Sequence, residues 1–457
     1  MSDTAVRLAL LSVLVPLVGA LWVRLGSRGT RRDALVAATV SLAAAALAAV
    51  ATQSVGGTSA VLMGLQVDPL TALAMPAYGL LMTAGLWLLP QRAADAGTLA
   101  QLLAMLSGTL LAYASGTPGG LALGWALSAA PFVMGGLADA GGWRPRAALL
   151  GSTVAVAGGL WLVADGQPFA AFDDLAGTAT GGMTAFALLT AGIVLRKGIV
   201  PAHAWVTDAS AGGLLPTLLL INGHLGAWMV LRVIVPVFPG TMALEASLLA
   251  NLALATALYT AVRGVAELRT RHVVVLVAIS QSASVLAGLE AHDAVGIGGA
   301  LLHMWVMGAA SMALGAVVDA IEARGADPTL AMPQGLGQNW PRLATAALLA
   351  SLALVGLPGT LGFVSEDLLI QASLEVSPQV GIVLPLSTAI NAVVLLRVCS
   401  RLFMCTRPSF GHAIPDARPR EWWPIVLLLA SLLVAGLVPR LALEAGLLRD
   451  VLAHLTF

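Results

Sequence analysis

The sequence has little charge and little cysteine, and each shortage excludes a class of protein. Only 10% of its 457 residues are charged, whereas 58% are hydrophobic and the mean hydropathy is +0.91, which is far from a soluble globular composition. The 23 basic and 23 acidic residues balance, so the chain lacks a basic footprint for nucleic acid. Two cysteines without nearby histidines indicate neither a disulfide framework nor a metal site. We therefore predict one membrane domain in contact with the lipid bilayer, without metal or cofactor.

Long apolar runs follow one another along almost the whole chain. A helix needs about 20 apolar residues to cross a bilayer, and such runs lie at 6–24, 34–52, 70–90, 97–115, 119–137, 147–164, 183–199, 215–235, 244–263, 272–289, 296–318, 342–374, 379–402 and 422–440. The pattern predicts an all-α integral membrane protein with about 14 transmembrane helices.

Charges in the connections alternate along the chain, and this alternation predicts the orientation. Cytoplasmic loops are enriched in arginine and lysine. Arginines follow the first, third, fifth, ninth and thirteenth runs, namely Arg24, Arg28, Arg31, Arg32, Arg92, Arg144, Arg146, Arg269, Arg271, Arg407, Arg418 and Arg420. The even-numbered connections instead carry acids, among them Asp165, Asp173, Asp174, Glu245, Asp293 and Glu375. We therefore predict a multi-pass protein of the inner (plasma) membrane with both termini on the non-cytoplasmic side.

Two runs contain helix-breaking residues in their interior. The seventh is interrupted from Gly198 to Pro201, and the twelfth at Pro358 and Gly359. Broken helices of transporters expose backbone groups that handle ions, although glycine and proline also serve packing alone. The breaks lie five helices apart, which predicts two inverted five-helix repeats, each containing a broken helix. The predicted units are the first three helices at 1–95, helices 4 to 8 at 96–240, helices 9 to 13 at 241–405, and the last helix with an amphipathic segment at 406–457.

Charged and histidine residues gather around these breaks. Lys197, the only lysine, ends the first apolar half-helix with Arg196, and charge at bilayer depth is normally functional. Glu366 and Asp367 follow the second break, where they would start a half-helix whose positive end stabilises them. The candidate ion path therefore comprises Arg196, Lys197, His203, Asp208, His224, His303, Glu366 and Asp367. Helix capping by the charged pairs and structural roles for the histidines are the alternatives. Glu267, Arg269, Arg271 and His272 are interpreted as a solvated loop.

Two motifs resemble a known family. Arg196-Lys-Gly-Ile-Val-Pro-Ala-His-Ala-Trp205, with Asp208 and Pro216, resembles a signature of the antiporter-like membrane subunits of respiratory complex I, Mrp cation/proton antiporters and membrane-bound hydrogenases. Gly356-Leu-Pro-Gly with Gly-Phe-Val-Ser-Glu366 is similar to the family's second broken helix, in the glutamate variant of complex I subunit M and hydrogenase-4 types. Ala278-Ile-Ser-Gln281 and His303 also fit. The resemblance implies 14 helices, two inverted repeats and a midplane row of charged and histidine residues that conducts protons.

The sequence departs from the family at several charged positions. Arg196 stands where the family usually has lysine, and Ala126 where its fifth helix has glutamate. Ser311, and Trp228 or Met229, take the places of lysines that some members carry. Since arginine stays protonated, Lys197 or His224 would have to exchange the proton in this half, or the first half-channel is closed.

These features predict a proton- or sodium-translocating subunit of a larger complex. The chain has no redox motif or nucleotide loop, so the coupled reaction must reside in other membrane and peripheral subunits, and no catalytic residue is predicted. One alternative is ion-driven uptake, as in inorganic-carbon accumulating complexes. Another is a degenerate scaffold that conducts nothing, for which Ala126 and Ser311 are the best support.

Overall fold

The computed structural model describes residues 2–26, 30–54, 60–134, 142–175, 177, 182–212, 214–238, 242–289, 293–376, 379–405 and 414–439, and these are mostly helical. The predicted amphipathic segment at 441–457 lies outside the described residues. The first half comprises α1 (Ser2–Leu25), α2 (Arg31–Ser54), the strands β1 (Ala60–Leu62) and β2 (Leu65–Val67), α3 (Pro69–Leu88), α4 (Ala96–Ala114), α5 (Pro118–Met134), α6 (Trp143–Val163), α7 (Phe172–Leu175), α8 (Gly182–Lys197), α9 (Ala204–Ala209), α10 (Leu215–Gly223), α11 (Leu225–Met229) and α12 (Val235–Val237). The second half comprises α13 (Met242–Ala266), α14 (Thr270–Gly288), α15 (Ala294–Ala323), α16 (Pro341–Leu354), α17 (Leu361–Val376), α18 (Val380–Cys399) and α19 (Pro419–Leu437).

Each predicted apolar run coincides with a helix or with consecutive helical segments. Within the described residues, 11 helices are long and apolar enough to cross a membrane, and α5 and α16 are shorter apolar helices. The prediction of an all-α membrane protein is therefore confirmed. The small β1–β2 hairpin, which pairs Ala60 with Val67 in antiparallel register, was not predicted. The inverted repeats and the domain boundaries stay predictions.

Contacts between the connections agree with the predicted alternation of sides. The connection after the ninth run meets the one after the eleventh through a bridge from Arg269 to Thr329. The end of the eleventh run meets the start of the fourteenth through an ion pair of 2.6 Å between Arg324 and Glu421. On the even-numbered side, Leu65 pairs with Ser115. In these contacts, odd-numbered connections lie together and even-numbered connections lie together. Which of the two sets faces the cytoplasm stays a prediction.

Close helix packing places α5 against α4, and α15 lies among many neighbours. A Cβ on Gly124 would stand 2.5 Å from the backbone nitrogen of Ala112, so only glycine permits this approach of the two backbones. α15 packs against α3, α10, α14, α16, α17 and α19. Its side chains can therefore contact elements that precede and follow it in the chain.

Both predicted helix breaks are confirmed, and they share one backbone geometry. Gly198 ends α8 at φ +64°, and Gly356 follows α16 at φ +66°, the left-handed conformation that glycine adopts most readily. After each glycine, a backbone N–H donates to the carbonyl five residues earlier: Ile199 to Val194 at 3.0 Å, and Leu357 to Leu352 at 3.0 Å. Each break then makes one further tight turn, to Ala202 in the first and Thr360 in the second.

The eighth span has two irregularities that were not predicted. His224, between α10 and α11, departs from helical geometry at φ −101° and ψ −59°. A π-helical segment follows from Val230 to Ile234, and such segments often mark functional positions. It directs Arg232 to Asp68, the N-cap of α3, with which it forms an ion pair.

Candidate ion-translocation site

Lys197 lies fully buried at the end of α8, beside the irregular eighth span. Its side chain is 0% exposed, and its Nζ donates to the Gly223 carbonyl at 2.9 Å. The aliphatic part of the side chain lies against Gly226, where a Cβ would stand only 2.3 Å from the Lys197 Cδ. The Asn222 amide donates to the Lys197 carbonyl, which belongs to the carbonyl-rich end of the helix. The first break and the irregular span are therefore joined through this lysine.

His224 continues the first polar region into a cluster of aromatic rings. Its ring packs edge-on against Tyr78, with 5.6 Å between centroids, and Tyr78 packs against Tyr113 at 5.8 Å. Trp228 contacts Tyr113 at 4.7 Å and donates its indole N–H to the Ala112 carbonyl at 3.2 Å. Trp228, one of the two residues that the family resemblance matches to a lysine of some members, thus places an aromatic ring in this cluster. Tyr78 and Tyr113 were not predicted as site residues, although all three tyrosines of the chain lie in predicted spans.

Arg196 is buried without a carboxylate partner among the described residues. Its guanidinium donates to the Trp125 carbonyl at 3.2 Å and to the Ser128 hydroxyl at 2.8 Å. The same group lies 4.5 Å from the centroid of the Trp125 ring, a cation–π geometry. These residues flank Ala126, where the family resemblance placed a glutamate. An indole face, a carbonyl and a hydroxyl therefore surround the charge in place of a counter-ion.

The second polar region is a hydrogen-bonded chain around His303, whose side chain is 0% exposed. Its Nε2 lies 2.9 Å from the Gln281 Oε1, and its Nδ1 lies 3.0 Å from the Ser365 hydroxyl. Gln281 donates its amide N–H to the Leu354 carbonyl at the second break, at 2.8 Å, which directs its oxygen toward the imidazole. The Gln281 side chain also lies near enough to the Glu366 carboxylate to interact with it.

Glu366 lies against the backbone of the second break. Its carboxylate accepts from the Thr388 hydroxyl at 3.2 Å, and a Cβ on Gly356 would stand 2.5 Å from its Oε2. Only a residue without a side chain leaves room for the carboxylate there. The expected N-terminal location of Glu366 is wrong, since α17 begins at Leu361 and places it beyond the first turn.

Three candidate residues lie apart from these two regions. His203 is half-buried and packs on Tyr259 at 5.1 Å. Asp208 pairs with Arg144 at 3.2 Å with much of both side chains exposed. Asp367 is exposed and accepts from Gln371 at 2.8 Å, so it points away from Glu366. The structure therefore brings together Lys197, His224 and Arg196 in one region and His303 with Glu366 in another.

A further buried ion pair contradicts the interpretation of Arg271 as a solvated loop residue. Arg271 pairs with Asp319 and with Glu322, the latter at 2.6 Å, and its side chain is only 11% exposed. It also donates to the Ser210 carbonyl at 3.0 Å, just beyond α9. The spacing of Asp319 and Glu322 by three positions on one helix could have indicated a shared partner.

Comparison with known structures supports the fold over nearly the whole chain. The chain superimposes with a TM-score of 0.84 on a chain of respiratory complex I from Thermus thermophilus, with 23% identity and coverage of 98% of this chain and 99% of that one. A chain of the Mrp complex from Dietzia sp. DQ12-45-1b gives 0.83, with 18% identity and coverage of 99% and 97%.

Sequence comparison identifies the family. The NAD(P)H-quinone oxidoreductase chain 4 1 of Synechococcus elongatus is 29% identical over 262 residues, which cover 55% of this chain and 49% of the relative. The chain thus spans about half the length of the curated relatives it matches. The family model described as NADH:quinone oxidoreductase/Mrp antiporter, TM, matches residues 147–391 and includes both breaks. The chain therefore belongs to the transmembrane NADH:quinone oxidoreductase/Mrp antiporter family.

Proposed function

We propose that this chain translocates protons through the membrane as one subunit of a larger complex. The observation that carries the proposal is that His303, Gln281 and Glu366 lie buried beside one another and that Glu366 packs on the non-helical backbone of the second break. Imidazole and carboxylate groups exchange protons, and ionisable groups inside a membrane mark proton relays.

His303 has the surroundings of a group that gains and loses a proton. The Ser365 hydroxyl lies 3.0 Å both from the His303 Nδ1 and from the Gly362 carbonyl. When that hydroxyl donates to Gly362, its oxygen accepts an N–H from His303, and both ring nitrogens carry protons because Gln281 accepts at the other one. When the hydroxyl rotates toward His303, Nδ1 accepts and the ring is neutral. Rotation of one hydroxyl thus accommodates both protonation states without moving the backbone.

In the first half, we assign proton exchange to Lys197 rather than to Arg196. Arginine remains charged in proteins, whereas buried lysines exchange protons. Among the described residues, the Lys197 amine has one acceptor, the Gly223 carbonyl. An amine with one acceptor can release a proton without breaking a network of ion pairs. Arg196 then provides a fixed positive charge beside the path.

The coupled reaction belongs to other subunits of the proposed complex. The structural relatives are chains of complexes named respiratory complex I and Mrp complex, which supports partners in the membrane. Histidine as the central group supports protons over sodium, because a neutral imidazole nitrogen accepts a proton directly.

The test measures proton flux through liposomes that contain the chain purified with its partners. A potassium diffusion potential drives protons inward, and a pH-sensitive dye inside reports them. Glu366→Gln is expected to lower this flux about 100-fold or more, the loss typical when a proton-transferring side chain is removed. Asp367→Asn, which changes the adjacent but exposed carboxylate, is the matched control and should conduct as the unmodified chain does.

Two results would decide against the proposal. Unchanged flux through intact Glu366→Gln complexes would remove the glutamate from the path and favour the scaffold. Radioactive sodium uptake that replaces proton uptake in the same liposomes would identify sodium as the transported ion.

A further inference from the structure

A cavity opens where α3 and α15 end and α19 begins. Its volume is about 200 Å³, far above the roughly 10–15 Å³ that one buried water requires. The lining includes Trp87 in the last turn of α3, Gln91 after it, Arg324 after α15, and Arg418 and Arg420 at the start of α19. All three helix ends belong to the side of the odd-numbered connections, so the cavity lies at one face of the membrane domain, away from the two polar regions.

The charges around this cavity do not balance. The two acidic residues of the lining are already paired: Glu421 with Arg324 at 2.6 Å, and Asp319 with Arg271. Arg420 has no carboxylate partner among the described residues. Arg31, which donates to the Trp87 carbonyl, lies close enough to Arg420 for the two positive charges to repel.

An anion between these arginines would remove the repulsion. Guanidinium groups recognise phosphate through paired N–H donors, and basic pockets between transmembrane helices on one membrane face bind anionic lipid headgroups. The Trp87 side chain is 43% exposed at the end of its helix, the depth at which tryptophan is enriched in membranes.

The surface beside the cavity suits acyl chains. Trp423, Leu427 and Val434 are exposed on α19, and their spacing of four and seven positions places them on one face. This apolar stripe begins two positions after Glu421 of the cavity lining and runs along α19 away from the odd-numbered connections. An acidic protein segment would match the arginines but not this stripe.

We propose that the phosphate of an anionic phospholipid binds at this cavity between Arg420, which lines it, and Arg31, which donates to the carbonyl of the lining residue Trp87, with the acyl chains along α19. The proposal does not depend on proton conduction, because none of the candidate path residues lines the cavity.

The test uses a phosphatidylglycerol that carries a photoreactive group on its acyl chain, added to the chain purified with its partners in detergent. Labelled peptides are mapped by mass spectrometry, and the readout is labelling of 419–437 as unlabelled lipid is added. Phosphatidylglycerol should compete, whereas phosphatidylcholine should not. The double variant Arg31→Gln with Arg420→Gln should need an about 30-fold higher mole fraction of unlabelled phosphatidylglycerol to halve the labelling. Each arginine near an anionic headgroup contributes about fivefold to the affinity.

Matched variants distinguish a specific site from a general effect of charge. Arg263→Gln with Arg401→Gln removes two exposed arginines elsewhere on the same side and should leave the competition unchanged. Arg31→Lys with Arg420→Lys keeps the charges and should retain most of the labelling, so loss in the glutamine variant cannot be attributed to misfolding.

Several outcomes would overturn the proposal. Equal labelling by phosphatidylcholine, equal competition in the glutamine variant, or an equal loss in the Arg263 and Arg401 control would each do so. Competition by glycerol 3-phosphate or inorganic phosphate as effective as that by the lipid would identify a soluble phosphate as the ligand instead. Cross-linking of the cavity to an acidic segment of a partner subunit would also exclude the lipid.

Discussion

Gly226→Ala should block proton movement through the first half by displacing Lys197. The added Cβ would lie 2.3 Å from the Lys197 Cδ and 2.5 Å from its Cγ. The lysine side chain must therefore move by about 1 Å to reach an ordinary contact of ~3.5 Å. That shift pulls the amine away from the Gly223 carbonyl, to which it donates at 2.9 Å. A misplacement of about 1 Å at a reacting group lowers rates up to ~100-fold, so we expect a 10- to 100-fold loss of flux.

The assay is the same liposome experiment, with melting temperature and subunit composition measured on each preparation. Gly158→Ala is the control, because its Cβ would make an ordinary contact of 3.6 Å with the Leu188 side chain. Wild-type flux in an intact Gly226→Ala complex would refute the reasoning, since it would mean that the position of Lys197 does not matter. A complex that fails to assemble is distinguished by its subunit composition, and Lys197→Met then tests the same residue without overpacking.

Two further predictions concern stability. Asp68→Asn keeps an acceptor for the Thr71 N–H at the start of α3 but leaves Arg232, whose side chain is 10% exposed, without its counter-ion. This should destabilise the complex by about 3–5 kcal/mol, seen as a lower melting temperature that Arg232→Leu partly restores; an unchanged melting temperature would contradict it. Gly436→Ala would place a Cβ 2.2 Å from the Thr360 carbonyl carbon, and because backbone cannot yield as a side chain does, we expect a loss of about 1–3 kcal/mol. A melting temperature of Gly436→Ala equal to that of Gly158→Ala would contradict this expectation.

The sequence was sufficient to predict the helices and the two breaks because both depend on local signals. A membrane-spanning helix must be long and apolar whatever surrounds it, and this requirement located every run. The breaks were visible because a left-handed residue favours glycine, as at Gly198 and Gly356. The identical hydrogen bonds after these glycines could not be predicted, but they follow from the same helix-ending motif.

Which side chains face the interior could not be predicted, because this depends on tertiary packing. Glu366 and Asp367 are adjacent, yet successive positions on a helix point about 100° apart, so one is buried and the other exposed. Arg271 was misinterpreted for a related reason. Its partners Asp319 and Glu322 lie 48 and 51 positions further along the chain, and no local pattern indicates a pairing over that distance.

The two polar regions are joined by α15, and this sets the step at which the proposed proton relay would be most constrained. His303 belongs to α15, and the His224 Nε2 lies beside Gly308 of the same helix, where a Cβ would stand 2.9 Å from it. Five helical positions span about 7.5 Å, too far for one hydrogen bond. The side chain of Met307, between them in sequence, packs beside Gly223. The His224 Nε2 and the Ser311 hydroxyl, one turn beyond Gly308, are buried and lack partners among the described residues. Since buried polar atoms attract water inside proteins, these two atoms mark where the proposed relay would have to pass from the first half to His303.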